Sequence, residues 1–187
     1  MITMTVETLT QTVVFVLSLL TVFGNLLILS FVIGWANEKT IKLRIISRYS
    51  LWLRKELALN SLLFAWLVAL IATLSSLYFS EIAGWTPCKL CWFQRIFMYP
   101  LSIVLGVAHF RKDSRIKTYV VILALTGALD SAYHYALQRI SILQAYSVCD
   151  ATADCAVPYT LNFGYITVPF MALTAFSLVV LSLRSKA

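Results

Sequence analysis

Two cysteines three positions apart, Cys88 and Cys91, have the clearest potential for chemistry in this sequence. Pro87 precedes them and a long apolar segment follows, which predicts that a helix begins here. The unpaired N–H groups and the positive dipole end of a helix N-terminus favour an anion. A thiolate is such an anion, so this position is expected to lower the pKa of a cysteine and make the pair redox-active.

Arg95 lies four residues after Cys91, on the same face of the predicted helix, and adds a second cationic group near the pair. The same Cys-x-x-Cys spacing also occurs as half of a structural zinc site. The stretch by itself favours redox chemistry, with the zinc site as the alternative.

A second pair, Cys149 and Cys155, is separated by five residues in a short polar stretch. The two can bridge without strain, and a small exposed disulfide of this kind is typically exchangeable. The alternative is a permanent covalent link within the loop.

Asp130, His134 and Gln138 recur at four-residue spacing and form one polar stripe on an otherwise apolar helix. Ionisable groups inside a membrane span are costly and indicate function. We expect His134 to lie near the outer interface, where it would hydrogen-bond or protonate a redox cofactor beside Cys91. The alternative is an Asp130–His134 pair that satisfies itself.

The composition excludes a soluble domain, because 60% of the 187 residues are hydrophobic and only 12% are charged, against about 25% charged in soluble domains. A net charge of +7 would indicate nucleic acid only if the basic residues formed one patch. They are spread over several loops, so no nucleic-acid partner is expected.

Five apolar segments are long enough to span a bilayer, which takes about 20 residues. They are residues 12–33, 57–79, 92–110, 118–137 and 163–183, and the last contains Pro169, which we expect to kink its helix. Twelve of the 15 lysines and arginines fall on one side of these spans. The positive-inside rule therefore predicts an outer N-terminus, an inner C-terminus and four outer cysteines, where disulfides persist.

The predicted fold is an all-α membrane protein with a four-helix transmembrane bundle as its core, in residues 58–187. One extra N-terminal transmembrane helix and a basic cytoplasmic segment, in residues 1–57, precede it. The basic residues of 37–56 alternate with apolar ones, which predicts an interfacial helix on an anionic leaflet.

These features resemble the DsbB/BdbC family of disulfide bond formation proteins over residues 58–183. The main motif is P-C-x-x-C-x-x-x-R from Pro87, and weaker motifs begin at His134 and Tyr165. Two departures are the extra segment at residues 1–57 and a second cysteine pair that is closer in sequence than in the enterobacterial type.

The resemblance implies a thiol:quinone oxidoreductase that sustains disulfide bond formation. A reduced thioredoxin-fold thiol oxidase of DsbA type would attack the Cys149–Cys155 disulfide outside the membrane. By chain order, Cys149 would take this partner and Cys155 would pass electrons to Cys88.

The resemblance further implies that Cys91, as the thiolate, engages a membrane quinone, either ubiquinone or menaquinone. Arg95 and His134 would bind this cofactor together with Cys91, and no metal is expected. The implied location is the bacterial inner (plasma) membrane, as a multi-pass protein with its cysteines on the periplasmic side.

Two other interpretations stay open. A relative of the vitamin K epoxide reductases would use its cysteine pairs in the same way to reduce a quinone-like substrate. A longer spacing of the second pair and an attached thioredoxin domain would favour this interpretation, and neither is seen. A non-enzymatic membrane scaffold would hold static disulfides or zinc, and it would leave Arg95 and His134 unexplained.

Overall fold

The computed structural model describes residues 2–39, 55, 59–144, 149 and 154–184. Its helices are α1 (Ile2–Lys39), α2 (Ser61–Glu81), α3 (Lys89–Arg111), α4 (Lys117–Arg139), α5 (Ser141–Gln144) and α6 (Val168–Arg184). Over these described ranges the only extended pairing is an isolated bridge between Asn162 and Ile166. The predicted all-α class is confirmed.

Four helices, α1 to α4, are long and apolar enough to cross a membrane, and α6 is a shorter apolar helix of 17 residues. At 1.5 Å per residue α6 is roughly 26 Å long, at the lower limit for a span. A multi-pass membrane protein is therefore confirmed, while the predicted direction of the chain through the membrane stays a prediction.

The core of the fold is a ring of four helices, in which α2 packs against α3, α3 against α4, α4 against α6, and α6 against α2. Its interior is filled by buried apolar side chains such as Leu101, Leu105 and Phe176. At Gly127 of α4, an added Cβ would clash with the Phe176 ring, so only glycine allows this approach to α6. The extra helix α1 packs on the outside of the ring, chiefly against α6.

The last helix differs from its prediction, since it begins at Val168 and not near residue 163. Phe163 and Gly164 both have a positive φ, 52° and 76°, and form a turn that the Asn162–Ile166 bridge closes. Pro169 is then the second residue of α6, where its missing N–H removes no intrahelical hydrogen bond. The prediction that Pro169 kinks a helix interior is wrong.

The predicted interfacial helix in residues 37–56 lies almost entirely outside the described residues. The division of the chain into residues 1–57 and 58–187 stays a prediction.

Candidate active site: two cysteine pairs beside a buried histidine

Cys88 is the N-cap residue of α3 and Cys91 lies in the first turn of that helix. The predicted helix entrance is therefore correct to within one residue. The two sulfurs are free thiols 3.1 Å apart, within hydrogen-bonding distance. A disulfide between them requires an approach of about 1 Å, since the S–S bond is about 2.0 Å long.

His134 of α4 faces this pair and is 2% exposed. Its Nε2 lies 3.7 Å from the Cys88 sulfur, and its Nδ1 lies 3.1 Å from Nε2 of Gln94. An amide nitrogen only donates, so in this arrangement Nδ1 of His134 accepts and Nε2 carries the proton. That proton points at the Cys88 sulfur.

The pKa of Cys88 is lowered to about 4, chiefly by the hydrogen bond with Cys91 and also by the hydrogen bond with His134, which together outweigh the opposing effect of burial. A thiol at the helix entrance with a lowered pKa was expected from the sequence. The family resemblance had implied that Cys91 is the thiolate that engages the quinone, and this role of Cys91 stays a prediction.

Gln94 was missed by the sequence reasoning. It is buried and lies three residues after Cys91, on the same face of α3. An amide inside an apolar span was the available signal.

Cys149 and Cys155 form a disulfide, as expected. The expectation that this disulfide is exposed is wrong for Cys155, which is 1% exposed and packs with Cys88, Leu90 and Leu137. The sulfurs of Cys88 and Cys155 and a ring nitrogen of His134 all lie within 4.8 Å of one another. The structure thus brings the Cys155 end of the second pair to the Cys88 end of the first.

The same three residues would be the place for a metal ion, because they offer three buried ligand atoms at short range. Cys155 is bonded to Cys149 in this state, so its sulfur is not a thiolate. A zinc site here would first need that disulfide to be reduced.

Arg95 of α3 is held in place by contacts with α2. Its Nε donates to Oγ of Ser76 and its Nη2 donates to the Ser76 carbonyl oxygen, both at 3.0 Å. Its guanidinium also lies 5.2 Å from the centre of the Trp92 ring. Ser76 was not predicted from the sequence, and its effect is to fix the direction of the Arg95 cation.

The alternative of a self-satisfied Asp130–His134 pair does not describe this site. Both ring nitrogens of His134 have other neighbours, Gln94 and Cys88. Oδ2 of Asp130 is buried without a hydrogen-bond partner among the residues that the structure describes.

The loop that carries Cys155 is joined to the loop that carries Cys88 by aromatic contacts. Tyr159 stacks on Trp85 at 5.1 Å, and Trp85 stacks on Phe79 of α2 at 4.6 Å. The Tyr159 hydroxyl donates to the Thr86 carbonyl oxygen at 2.6 Å. Burial raises the pKa of Tyr159, so the hydroxyl keeps the proton that it donates.

A cavity of about 410 Å³ opens beside the first pair, with Cys91, Arg95, His134 and Gln138 among its lining residues. Most of its remaining wall is apolar and comes from α1, α2 and α6. Along α2 the lining runs from Phe79 to Phe64, roughly 22 Å of helix. The cavity therefore suits a long apolar molecule with a polar head beside Cys91.

The family model and the similar proteins that match this chain all carry descriptions of one family. The family model of disulfide bond formation protein DsbB matches residues 59–184. Disulfide bond formation protein C of Bacillus subtilis (strain 168) is 48% identical over 117 residues, which is 63% of this chain and 85% of that protein. The probable disulfide formation protein C of Halalkalibacterium halodurans is 41% identical over 120 residues, 64% of this chain and 88% of that protein.

A further relative is the probable disulfide formation protein of Coxiella burnetii (strain Dugway 5J108-111), 43% identical over 116 residues, 62% of this chain and 79% of that protein. No solved structure gives a significant match. The family match covers the four-helix ring and both cysteine pairs, and it leaves α1 outside. The chain belongs to the DsbB family of disulfide bond formation proteins, membrane oxidoreductases whose chemistry is the making of disulfide bonds.

Proposed function

We propose that this protein is a thiol:quinone oxidoreductase that reoxidises a thioredoxin-fold thiol oxidase of DsbA type and passes the electrons to a membrane quinone. One observation carries the proposal: the two cysteine pairs and the cavity form a continuous path. The Cys155 sulfur lies within 4.8 Å of that of Cys88, which is 3.1 Å from the sulfur of Cys91, and Cys91 lines the cavity.

The residues at the head of the cavity fit a quinone. Arg95 offers a fixed cation for a quinone oxygen, and Oε1 of Gln138 is buried without a hydrogen-bond partner among the described residues. That oxygen can accept from the hydroxyl of a quinol. Ubiquinone and menaquinone both consist of a polar quinone head and a long apolar tail.

The Cys88 thiolate and the Cys91 thiol would supply two electrons and one proton to a quinone bound there, and the second proton of the quinol would come from solvent. The sulfurs of Cys88 and Cys91 are then joined as a disulfide. In the structure this pair is reduced while Cys149–Cys155 is oxidised, which is the state that precedes this step.

The last step of the cycle is thiol–disulfide exchange between the pairs, and it takes place after the partner has reduced Cys149 and Cys155. The Cys155 thiolate attacks the Cys88 sulfur of the new disulfide and releases Cys91. The Cys149 thiolate then attacks Cys155, which closes Cys149–Cys155 and releases Cys88. A thiol with a low pKa leaves faster, so the lowered pKa of Cys88 favours this release.

The step between quinone reduction and this exchange regenerates the partner. A thiolate of the reduced partner attacks the Cys149–Cys155 disulfide and forms a mixed disulfide. The second thiol of the partner resolves it, so the partner leaves oxidised and both loop cysteines are reduced. The chain direction predicted from its basic residues would place this reaction on the periplasmic face of a bacterial inner membrane.

The proposal is tested by quinone reduction with purified protein in lipid nanodiscs, driven by a reduced thioredoxin-fold dithiol protein. We expect turnover in the wild type and none in Cys91→Ser or Cys155→Ser. Loss in Cys91→Ser alone would reduce the second pair to a structural link. No wild-type turnover with either quinone would contradict the proposal, and zinc bound at Cys88, His134 and Cys155 would then support the static interpretation.

A further inference from the structure

The helix α1 lies outside the matched family region, yet it is packed in a specific way. Between residues 10 and 21, its buried residues Thr10, Val14, Ser18 and Thr21 follow one another at spacings of four, four and three and so lie on one face. The opposite face carries exposed apolar side chains such as Leu19 and Leu26, as expected of a surface in contact with lipid.

Polar contacts fix the position of α1 against the ring. Ser18 Oγ accepts from Nδ2 of Asn162 at 2.8 Å, and Thr174 Oγ1 of α6 donates to Oδ1 of Asn25 at 3.1 Å. At Gly24 an added Cβ would lie 2.9 Å from a methyl group of Leu178, so glycine lets the two helices approach closely. Contacts of this kind are typical of helix association within a membrane.

The position that these contacts define makes α1 part of the cavity that contains Cys91 and Arg95. Six of its residues line that cavity: Leu17, Leu20, Thr21, Phe23, Gly24 and Leu27. Leu17 and Leu27 are separated by roughly 15 Å along the helix axis. On this side α1 stands between the cavity and the lipid.

The direction of this wall follows from its contacts. The Thr10 hydroxyl lies 3.2 Å from that of Tyr78, at the end of α2 nearest the cysteines. Leu17 is therefore closer to the cysteine end of the cavity, and Leu27 lies deeper along its apolar part.

We propose that α1 is the wall that holds the isoprenoid tail of the quinone, and that Leu27 sets the tail length that the cavity accepts. The inference rests on the proposed function, because it assigns the occupant of the same cavity. The occupant is chosen because the α1 wall continues an apolar groove from the site where Cys91 and Arg95 would meet a quinone head.

The first test is photolabelling with quinones that carry a photoreactive group at the end of a short or a long isoprenoid tail. Adducts are mapped by mass spectrometry after proteolysis. We expect the short tail to label α1 near Leu17 and the long tail to label it near Leu27. Adducts confined to α2 and α6 for both tails would overturn the inference.

The second test compares Leu27→Trp with Leu26→Trp, the same substitution at a neighbouring residue that is 58% exposed and does not line the cavity. Leu27→Trp should raise the KM for a long-tailed quinone by about tenfold, the selectivity typical of an apolar pocket. The KM for a quinone without a tail should not change, which also shows that the variant is folded. Leu26→Trp should resemble the wild type with both substrates.

The outcomes separate the inference from the function on which it rests. Turnover in the wild type, with an equal effect of Leu27→Trp on both quinones or with an equal effect of Leu26→Trp, overturns the role of α1 alone. If Leu27→Trp does not fold, the adduct positions in the wild-type protein decide the inference. No turnover and no labelling of the wild type by any quinone overturns the proposed function and the inference together.

Discussion

The two cysteine pairs are held in different ways. Cys88 and Cys91 stand at the end of a 23-residue helix, and side chains from two other helices contact Cys88 or the neighbouring Arg95. Cys149 and Cys155 stand in a loop that is tied to the rest of the protein near Cys155 by an aromatic stack and one hydrogen bond. A rigid pair suits a fixed cofactor, whereas a pair in a loop suits a partner protein that must approach and leave.

The largest effect is expected for His134→Gln, which removes the proton that points at Cys88. The pKa of Cys88 lies below its ordinary value, so its thiolate is present from about pH 4 upward and is lost only below that pH. The variant should raise this pKa, so alkylation of Cys88 should begin to fall with decreasing pH well above pH 4. Turnover should drop on the order of 10²-fold, the scale of general acid–base effects.

The alkylation rate as a function of pH, followed by mass spectrometry of the Cys88 peptide, measures this effect. His109→Gln changes the other histidine of the chain, which lies near the opposite end of α3. An unchanged pH profile in His134→Gln would show that His134 does not act on Cys88.

Arg95→Lys should have the next largest effect on activity, although it keeps the positive charge. Lysine cannot reproduce the two donors that Arg95 directs at Ser76, nor its planar contact with Trp92. We expect the KM for the quinone to rise about tenfold while reaction of the second pair with the thioredoxin-fold protein is unchanged. Arg111→Lys, at the exposed end of the same helix, is the matched control.

Gln94→Leu should have a smaller effect on turnover, because Gln94 acts on the cysteines only through His134. Without the Gln94 donor, Nδ1 of His134 no longer has to accept, and both tautomers of the ring become available. We expect turnover to fall several-fold, less than the 10–100-fold range known for partners of metal-ligating histidines. The NMR signals of the ring nitrogens should show mixed tautomers, while Gln11→Leu on the exposed face of α1 leaves them unchanged.

Tyr159→Phe tests how the loop that carries Cys155 is held in place, and it should have the smallest effect on activity. It removes the hydrogen bond to the Thr86 carbonyl but keeps the stack on Trp85. A hydrogen bond of this kind contributes about 1 kcal/mol, so exchange between the pairs should slow by less than about tenfold. Stopped-flow measurement of that exchange would detect it, with Tyr119→Phe as the exposed control. A change in quinone KM instead would mean that the loop also shapes the cofactor end.

The limits of α2, α3 and α4 were predictable to within a few residues, because polar or charged residues bound each apolar run. The start of α6 was not, since the turn at Phe163 and Gly164 is itself apolar and continues the hydrophobic pattern. The first helix is longer than predicted for the opposite reason. Its ends at Ile2 and Lys39 extend into polar sequence that a hydropathy window excludes.

The depth of the site residues along their helices was predictable from the sequence, but the rotation of each helix about its own axis was not. Helical rise places Cys91 and His134 at a similar height, and the structure brings them to one cavity. The rotation of α3 and α4 about their own axes decides which residue of α3 faces His134. This rotation cannot be read directly from one sequence. The contacts of Gln94, Ser76 and α1 with the site are therefore visible only in the folded chain.

The central claim is that electrons pass between Cys155 and Cys88, and trapping that bond tests it most directly. The double variant Cys91→Ser/Cys149→Ser leaves only these two thiols, and Cys88→Ser/Cys155→Ser is the matched control with only Cys91 and Cys149. Both are treated with oxidised glutathione, digested and analysed by mass spectrometry. We expect a Cys88–Cys155 disulfide within one chain of the first variant and no corresponding bond in the second. Free Cys88 and Cys155, or equal bonding in both variants, would contradict the relay.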